Sequence, residues 1–282
     1  MKNLKYLSKQ GSSLKPCEDR ITVLDNTAWV LDGATGITGK KITNSETDAV
    51  WYVESINNYF KENINPSKSI KDIVKSAIKE AREKYIKFSG FEDLDEVDYP
   101  CAAIALIRFH NNELEYFVLG DCSIIIKEKG KKAIEIVDNK LIDLEENLIE
   151  SMFKTANEKN ISILEARSYC NQEVIDIRKT KNSSNGYWIL ELNEEAVEHC
   201  IYGKIKIMNN TSICLTSDGF SQYYDTFNLS NGYEEFIDIV KDINIEELYN
   251  KLYDKQEEDS QCNNFPRLKK RDDASIIYFE IE

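Results

Sequence analysis

The sequence predicts an α+β fold in which antiparallel sheets carry helices packed against them. Three observations point there. Apolar runs of strand length gather in three regions of the 282-residue chain, and paired helical patterns separate those regions. The closing run, 274–281, alternates as a sheet packed on one side does. Strands and helices do not alternate one by one, which argues against a parallel sheet built from βαβ units. No internal repeat, low-complexity tract or Pro/Gly-rich linker interrupts the chain, so residues 1–282 read as one domain.

Taken in order, residues 21–31 hold strand-like apolar stretches that stop abruptly at Asp32-Gly33. Thr43-Asn44-Ser45-Glu46 has capping-box form, and Ala49, Val53, Ile56 and Phe60 then recur at helical spacing. A second helix places Ile70, Ile73, Val74, Ala77, Ile78, Ala81 and Tyr85 on one face. The short link at Asn65-Pro66 makes the two helices antiparallel. Residues 92–98 form an acidic loop, read as solvated surface. Runs 101–109, 114–119 and 123–126 are strands, divided by turn sequences at His110-Asn111-Asn112 and 128–131. Residues 144–177 read as helix, 187–192, 205–207 and 213–216 as strands, 234–243 and 246–256 as helices, and 274–281 as the last strand.

Composition narrows the function. A formal charge of -14 and a pI near 4.8 repel nucleic acid and anionic membrane surfaces. The seven cysteines are odd in number and show no C-x-x-C spacing, which fits free thiols in a reducing cytosol better than a disulfide framework or zinc ribbon. Residues 1–13 lack an apolar signal region, and no run is long enough to span a bilayer. A cytoplasmic monomer without nucleic-acid or membrane partners is expected.

The chemistry concentrates in aspartates at strand ends. Trp29-Val30-Leu31-Asp32-Gly33, Phe117-Val118-Leu119-Gly120-Asp121 and Cys214-Leu215-Thr216-Ser217-Asp218-Gly219 share one form: an apolar strand that stops at a carboxylate beside a glycine. Glu18-Asp19 and Asp272-Asp273 add acid next to other apolar runs. A lone Asp-Gly is far more often a turn than a site. Three of them after buried strands are different, because the core fixes where each side chain is aimed. Glycine lets the backbone approach an ion and offer its carbonyl. Gathered carboxylates repel one another unless a cation neutralises them, and all-oxygen ligation selects Mg²⁺, Mn²⁺ or Ca²⁺ over zinc.

Competing chemistries are weaker. His110 and His199 lie far apart and match no zinc motif, and no cysteine has the C-x₅-R spacing of a thiol phosphatase. Ala34-Thr35-Gly36-Ile37-Thr38-Gly39-Lys40-Lys41 approaches a phosphate-binding loop. However, Lys41 stands where a hydroxyl should bind Mg²⁺, and the helix signal comes too late.

Together these blocks resemble the metal-dependent protein phosphatases of the PP2C (PPM) family, the bacterial members above all. Cys17-Glu18-Asp19 is similar to the family's N-terminal acidic motif, Asp32-Gly33-Ala34-Thr35-Gly36 to its D-G-x-x-G, and Gly120-Asp121-Cys122 to its G-D-S. Ser217-Asp218-Gly219 is similar to its S-D-G, and Asp272-Asp273-Ala274-Ser275 to its D-[ND]-x-T. The resemblance implies a sandwich of two antiparallel sheets flanked by helix pairs, with a variable flap within 138–186. It implies two Mn²⁺ or Mg²⁺ ions, with Asp32 bridging both, the Gly33 carbonyl on one, and Asp218 and Asp272 on the other. Glu18 would hold the site directly or through water, Asp19 would order the N-terminal segment, and Asp121 would serve a third metal position. The implied reaction is in-line attack of a metal-activated water on the phosphomonoester of a phosphoserine or phosphothreonine protein. Two departures stand out. Leu14 replaces the family's phosphate-binding arginine, leaving Lys15 as the neighbouring cation, and Ala34 stands where some members carry a histidine. A catalytically weak scaffold of the same fold is the second expectation, and a nucleotide-binding P-loop protein the third.

Overall fold

The structure, a computed structural model, describes residues 1–281. Its strands are β1 (Lys2–Lys9), β2 (Arg20–Val23), β3 (Thr27–Ala34), β4 (Cys101–His110), β5 (Glu113–Leu119), β6 (Ser123–Lys127), β7 (Ile134–Ile136), β8 (Ile201–Lys206), β9 (Ser212–Thr216) and β10 (Ala274–Glu280). They form two five-stranded antiparallel sheets, ordered β1-β10-β9-β6-β7 and β2-β3-β4-β5-β8. The helices are α1 (Asp48–Asn63), α2 (Ile70–Tyr85), α3 (Asn139–Lys159), α4 (Ile163–Ala166), α5 (Asn171–Lys179), α6 (Asp218–Ser221), α7 (Gly232–Asp242) and α8 (Ile245–Glu258).

The alternation of side chains along each strand builds the layers. On β3, Ala28 and Val30 face the other sheet and meet Ile213, Leu215, Ile277 and Phe279 in the inner core. Trp29 and Leu31 face outward and pack against Ile56, Phe60, Ile73 and Ile78 of α1 and α2. The other sheet does the same with α7 and α8, where Cys214, Ile276 and Tyr278 meet Phe236, Val240, Leu248 and Leu252. Both faces of both sheets are therefore covered. This corrects the reading of 274–281 as packed on one side: every residue of β10 is buried, because helices lie on its outer face.

α1 and α2 are antiparallel, as expected. The Tyr85 hydroxyl at the end of α2 donates to Asp48 Oδ2 at the start of α1 at 2.8 Å. The cap of α1 is Thr47, not the Thr43 box: its hydroxyl accepts from the Val50 amide, while Thr43 donates to Asp48 instead. The 92–98 loop is not wholly solvated either. Asp98 is 1% exposed and accepts from the Thr38 amide and hydroxyl, pinning the glycine-rich loop. Residues 187–192 are no strand; they touch β4 through one bridge, Ala102 to Leu190. Helices α3 to α5 lie within the expected 138–186 segment and carry a small core of their own around Leu148, Met152, Ala156, Ile163 and Ala166.

Candidate functional site

The strand ends deliver the aspartates to one end of the sandwich. Asp32 lies two residues before the end of β3, opposite Ala103 on β4, because the strand runs on through Gly33 to Ala34. Asp121 follows β5 after Gly120, whose φ of +81° lies in the left-handed region and whose absent Cβ would meet Ala103 Cβ at 2.7 Å. Asp218 opens α6 directly after β9, and Asp272 precedes β10. All four line one cavity of about 980 Å³, together with Gly33 and Ala34. A Cβ on Gly219 would stand 2.0 Å from the Asp273 carbonyl oxygen, so the close approach of α6 to the 272–273 turn requires glycine.

A second layer of bonds holds this arrangement. Ser217 Oγ donates to Asp19 Oδ2 at 2.9 Å and accepts from the Ser275 amide at 2.9 Å, joining the N-terminal segment to β9 and β10. Asp273 accepts from the Gly11 amide at 2.7 Å and the Glu18 amide at 2.6 Å. Glu18 Oε1 accepts from the hydroxyls of Thr35 and Thr47. Glu18 therefore touches the Asp32-Gly33 corner without lining the cavity, and Asp19 sits behind it, 2% exposed.

The electrostatics are those of buried, crowded acids that one cation, Lys269, offsets only in part. Burial first, then the charges of Asp19, Asp218, Asp121 and Asp272, hold the Asp32 carboxyl well above its usual range. Burial and then Asp272 and Asp121 do the same to Asp218. Burial with Asp273 and Asp272 pushes Asp19 up to about 7, and burial with Asp272 raises Asp121 to about 6. Asp19 Oδ1 and Asp218 Oδ1 are buried with no hydrogen-bond partner, an unstable condition for a carboxylate oxygen unless a cation meets it. The donors are all oxygen, which fits hard divalent ions. Among the described residues no three such side chains close into a cage around one point. They stand around the cavity instead, as mutually repelling carboxylates do.

The cations over the cavity come from elsewhere. Lys269 pairs with Asp272 at 2.5 Å, and Arg167 and Arg178 reach the lining from the helical segment. Glu145 of α3 lines it too, pushed up to about 8 by burial and by Asp121 and Asp272. Lys15 is exposed and Leu14 is 92% exposed; neither lines the cavity. Lys40 donates to the Asp93 carbonyl and no helix begins before Asp48, so the glycine-rich loop lacks the form of a phosphate-binding loop. Sequence reasoning missed Glu145, Lys269, Arg178 and the Ser217 bonds. Ser217 alone carried a signal, standing in the same block as Asp218.

Similar proteins agree with this fold. Residues 10–252 match the sequence profile of Protein phosphatase 2C. No curated protein matches the sequence. Among solved structures, the serine/threonine phosphatase PstP/Ppp of Mycobacterium tuberculosis superposes with a TM-score of 0.56 at 12% identity, covering 99% of each chain. PppA, a regulatory component of the T6SS in Pseudomonas aeruginosa, gives 0.58 at 12% identity over 99% of this chain and 97% of that one. The catalytic domain of PstP in complex with two manganese ions gives 0.55 at 13% identity over 99% and 98%. At these identities the structures speak for the fold, and the profile match over most of the sequence speaks for descent. The chain belongs to the Protein phosphatase 2C family.

Proposed function

We propose that the chain is a Mn²⁺- or Mg²⁺-dependent phosphatase of phosphoserine and phosphothreonine proteins. The single observation that carries this is the meeting of Asp32, Asp121, Asp218 and Asp272 around one cavity, with Asp218 Oδ1 left without a partner. Asp32, the Gly33 carbonyl, Asp218 and Asp272 would hold two ions, with Glu18 in support, Asp121 serving a third and Asp19 fixing the N-terminal segment. Bound there, the ions would supply a water of lowered pKa and neutralise charge on the phosphoryl oxygens. The chain's own part is positional: buried strand ends fix the carboxylates, and Ser217 and Asp273 lock the segments that carry them. The manganese-bound PstP domain supports the choice of ion.

We read residues 1–282 as one phosphatase domain with its insertion at 138–186, acting as a monomer on a phosphorylated protein. No helix among the described residues is long and apolar enough to cross a membrane. The test is hydrolysis of p-nitrophenyl phosphate with and without Mn²⁺. Activity is expected only with the ion, and to fall at least a hundredfold, on the order of losing one key electrostatic group, in Asp32→Ala and Asp218→Ala. Metal-free turnover, or turnover that survives both substitutions, overturns the reading. A scaffold role gains ground if calorimetry finds no Mn²⁺ binding to a folded chain.

A further inference from the structure

A phosphomonoester dianion is gripped best by a guanidinium, whose parallel N–H groups match two phosphoryl oxygens. The chain has seven arginines. Five are held by carboxylates: Arg20 by Glu54, Arg82 by Glu194, Arg108 by Glu115, Arg267 by Asp259 and Arg271 by Glu257. Arg167 and Arg178 form no ion pair among the described residues, and both line the cavity that contains the four aspartates.

Arg178 is the better placed of the two. It leaves α5 and donates from Nη1 to Cys101 Sγ at 2.9 Å. Cys101 in turn contacts the Ala34 carbonyl at 3.7 Å and pairs with Ala34 across the β3–β4 ladder, two residues from Asp32. One nitrogen of the guanidinium is thereby anchored beside the strand that carries Asp32. A thiol does not answer a full positive charge, and a half-buried guanidinium without a carboxylate is unfavourable unless an anion completes it. Glu145 is the carboxyl whose charge acts on both arginines, yet it forms an ion pair with neither among the described residues.

We propose that Arg178 grips the phosphoryl oxygens of the substrate, so that the helical insertion and not the N-terminal segment supplies the anion-binding side of the site. This rests on the phosphatase reading above. The test compares the Mn²⁺-loaded full chain with Arg178→Ala, Arg178→Lys and, as a control on the far helix pair, Arg82→Ala. Binding of inorganic phosphate and of Mn²⁺ is measured by calorimetry, alongside KM and kcat for p-nitrophenyl phosphate.

Arg178→Ala is expected to weaken phosphate binding roughly ten- to a hundredfold, the usual worth of a charge-assisted pair, with KM rising in step and Mn²⁺ affinity unchanged. Arg178→Lys should recover part of the loss, since it keeps the charge and not the fork. Arg82→Ala should match the unaltered chain. Unchanged phosphate affinity in Arg178→Ala overturns the proposal, as does parallel loss of Mn²⁺ binding, which would mark Arg178 as structural. If the alanine variant fails to fold, the lysine variant decides: several-fold weaker phosphate binding supports the proposal and unchanged binding overturns it. An unaltered chain that binds Mn²⁺ and phosphate but hydrolyses no phosphomonoester sinks the phosphatase reading, while the phosphate comparison still decides Arg178.

Discussion

Asp19, Asp32, Asp121 and Asp218 are each held where their own charge is disfavoured, and that has a measurable consequence. Asp19 and Asp121 titrate in the fold near 7 and 6, well above the value of about 3.9 for an unfolded aspartate. Between those values the folded chain binds protons that the unfolded chain has lost. Stability therefore falls as pH rises from about 4 toward 7, with Glu145 extending the decline toward about 8. A divalent ion favours the deprotonated carboxylates and so stabilises most where the metal-free protein is weakest. Metal-free Tm is expected to be higher at pH 5.5 than at pH 8, and the increase on adding Mn²⁺ to be larger at pH 8. Thermal melts in chelator and in excess Mn²⁺ across that range measure both. A metal-free Tm indifferent to pH would mean that these carboxyls are not crowded as described. At this scale the sequence showed the residues but not their neighbours. Asp32, Asp121 and Asp218 announce themselves by following an apolar run beside a glycine, and Asp272 by standing just before one. Arg178, one of two adjacent cations at the end of a polar helix, becomes visible only when α5 lies over the cavity.

Elements were legible where periodicity was strong and both flanks were punctuated. The α1–α2 pair and the strands β4 to β6 belong to that class, because their buried faces leave a clear pattern. β1 was not legible: Lys2–Lys9 is mostly polar, buries Leu7 alone, and is a strand because β10 offers it an edge. The reverse holds for 187–192, an apolar run buried between layers that makes one bridge and no ladder. The single helix read over 144–177 is in fact broken at Asn160, whose φ of +54° ends α3 in the left-handed region, so the insertion can fold back on itself. Its core is separate from those of the sandwich and is centred on Met152, which is fully buried. Met152→Ala leaves a cavity there and should destabilise by roughly 2–5 kcal/mol. The loss is expected locally: amide exchange in α3 to α5 should accelerate while β3 and β4 keep their protection. Equal acceleration everywhere would show that the insertion and the sandwich unfold as one.

The molecule as a whole is an acid, and two divalent ions would leave it negative: the formal charge is -14. Its field must act on any phosphorylated segment before contact, since summed charge steers approach over distances that salt sets. The screening length is about 30 Å at 0.01 M salt and about 10 Å at 0.1 M, so the field reaches beyond the cavity mouth only at low salt. A phosphopeptide flanked by lysine and arginine is drawn in, and one flanked by aspartate and glutamate is repelled. Because steering changes encounter more than the bound state, it should appear in kcat/KM and leave kcat almost unmoved. For matched peptides, kcat/KM is expected to favour the basic one at 0.01 M salt. Raising the salt should lower that value for the basic peptide and raise it for the acidic one, bringing the two together. Initial rates at fixed Mn²⁺ along a salt series give the slopes. If the two peptides respond alike, the surface charge plays no part in selection, and any preference among phosphopeptides must come from the cavity walls, which Leu141, Ile149, Val174 and Phe265 line.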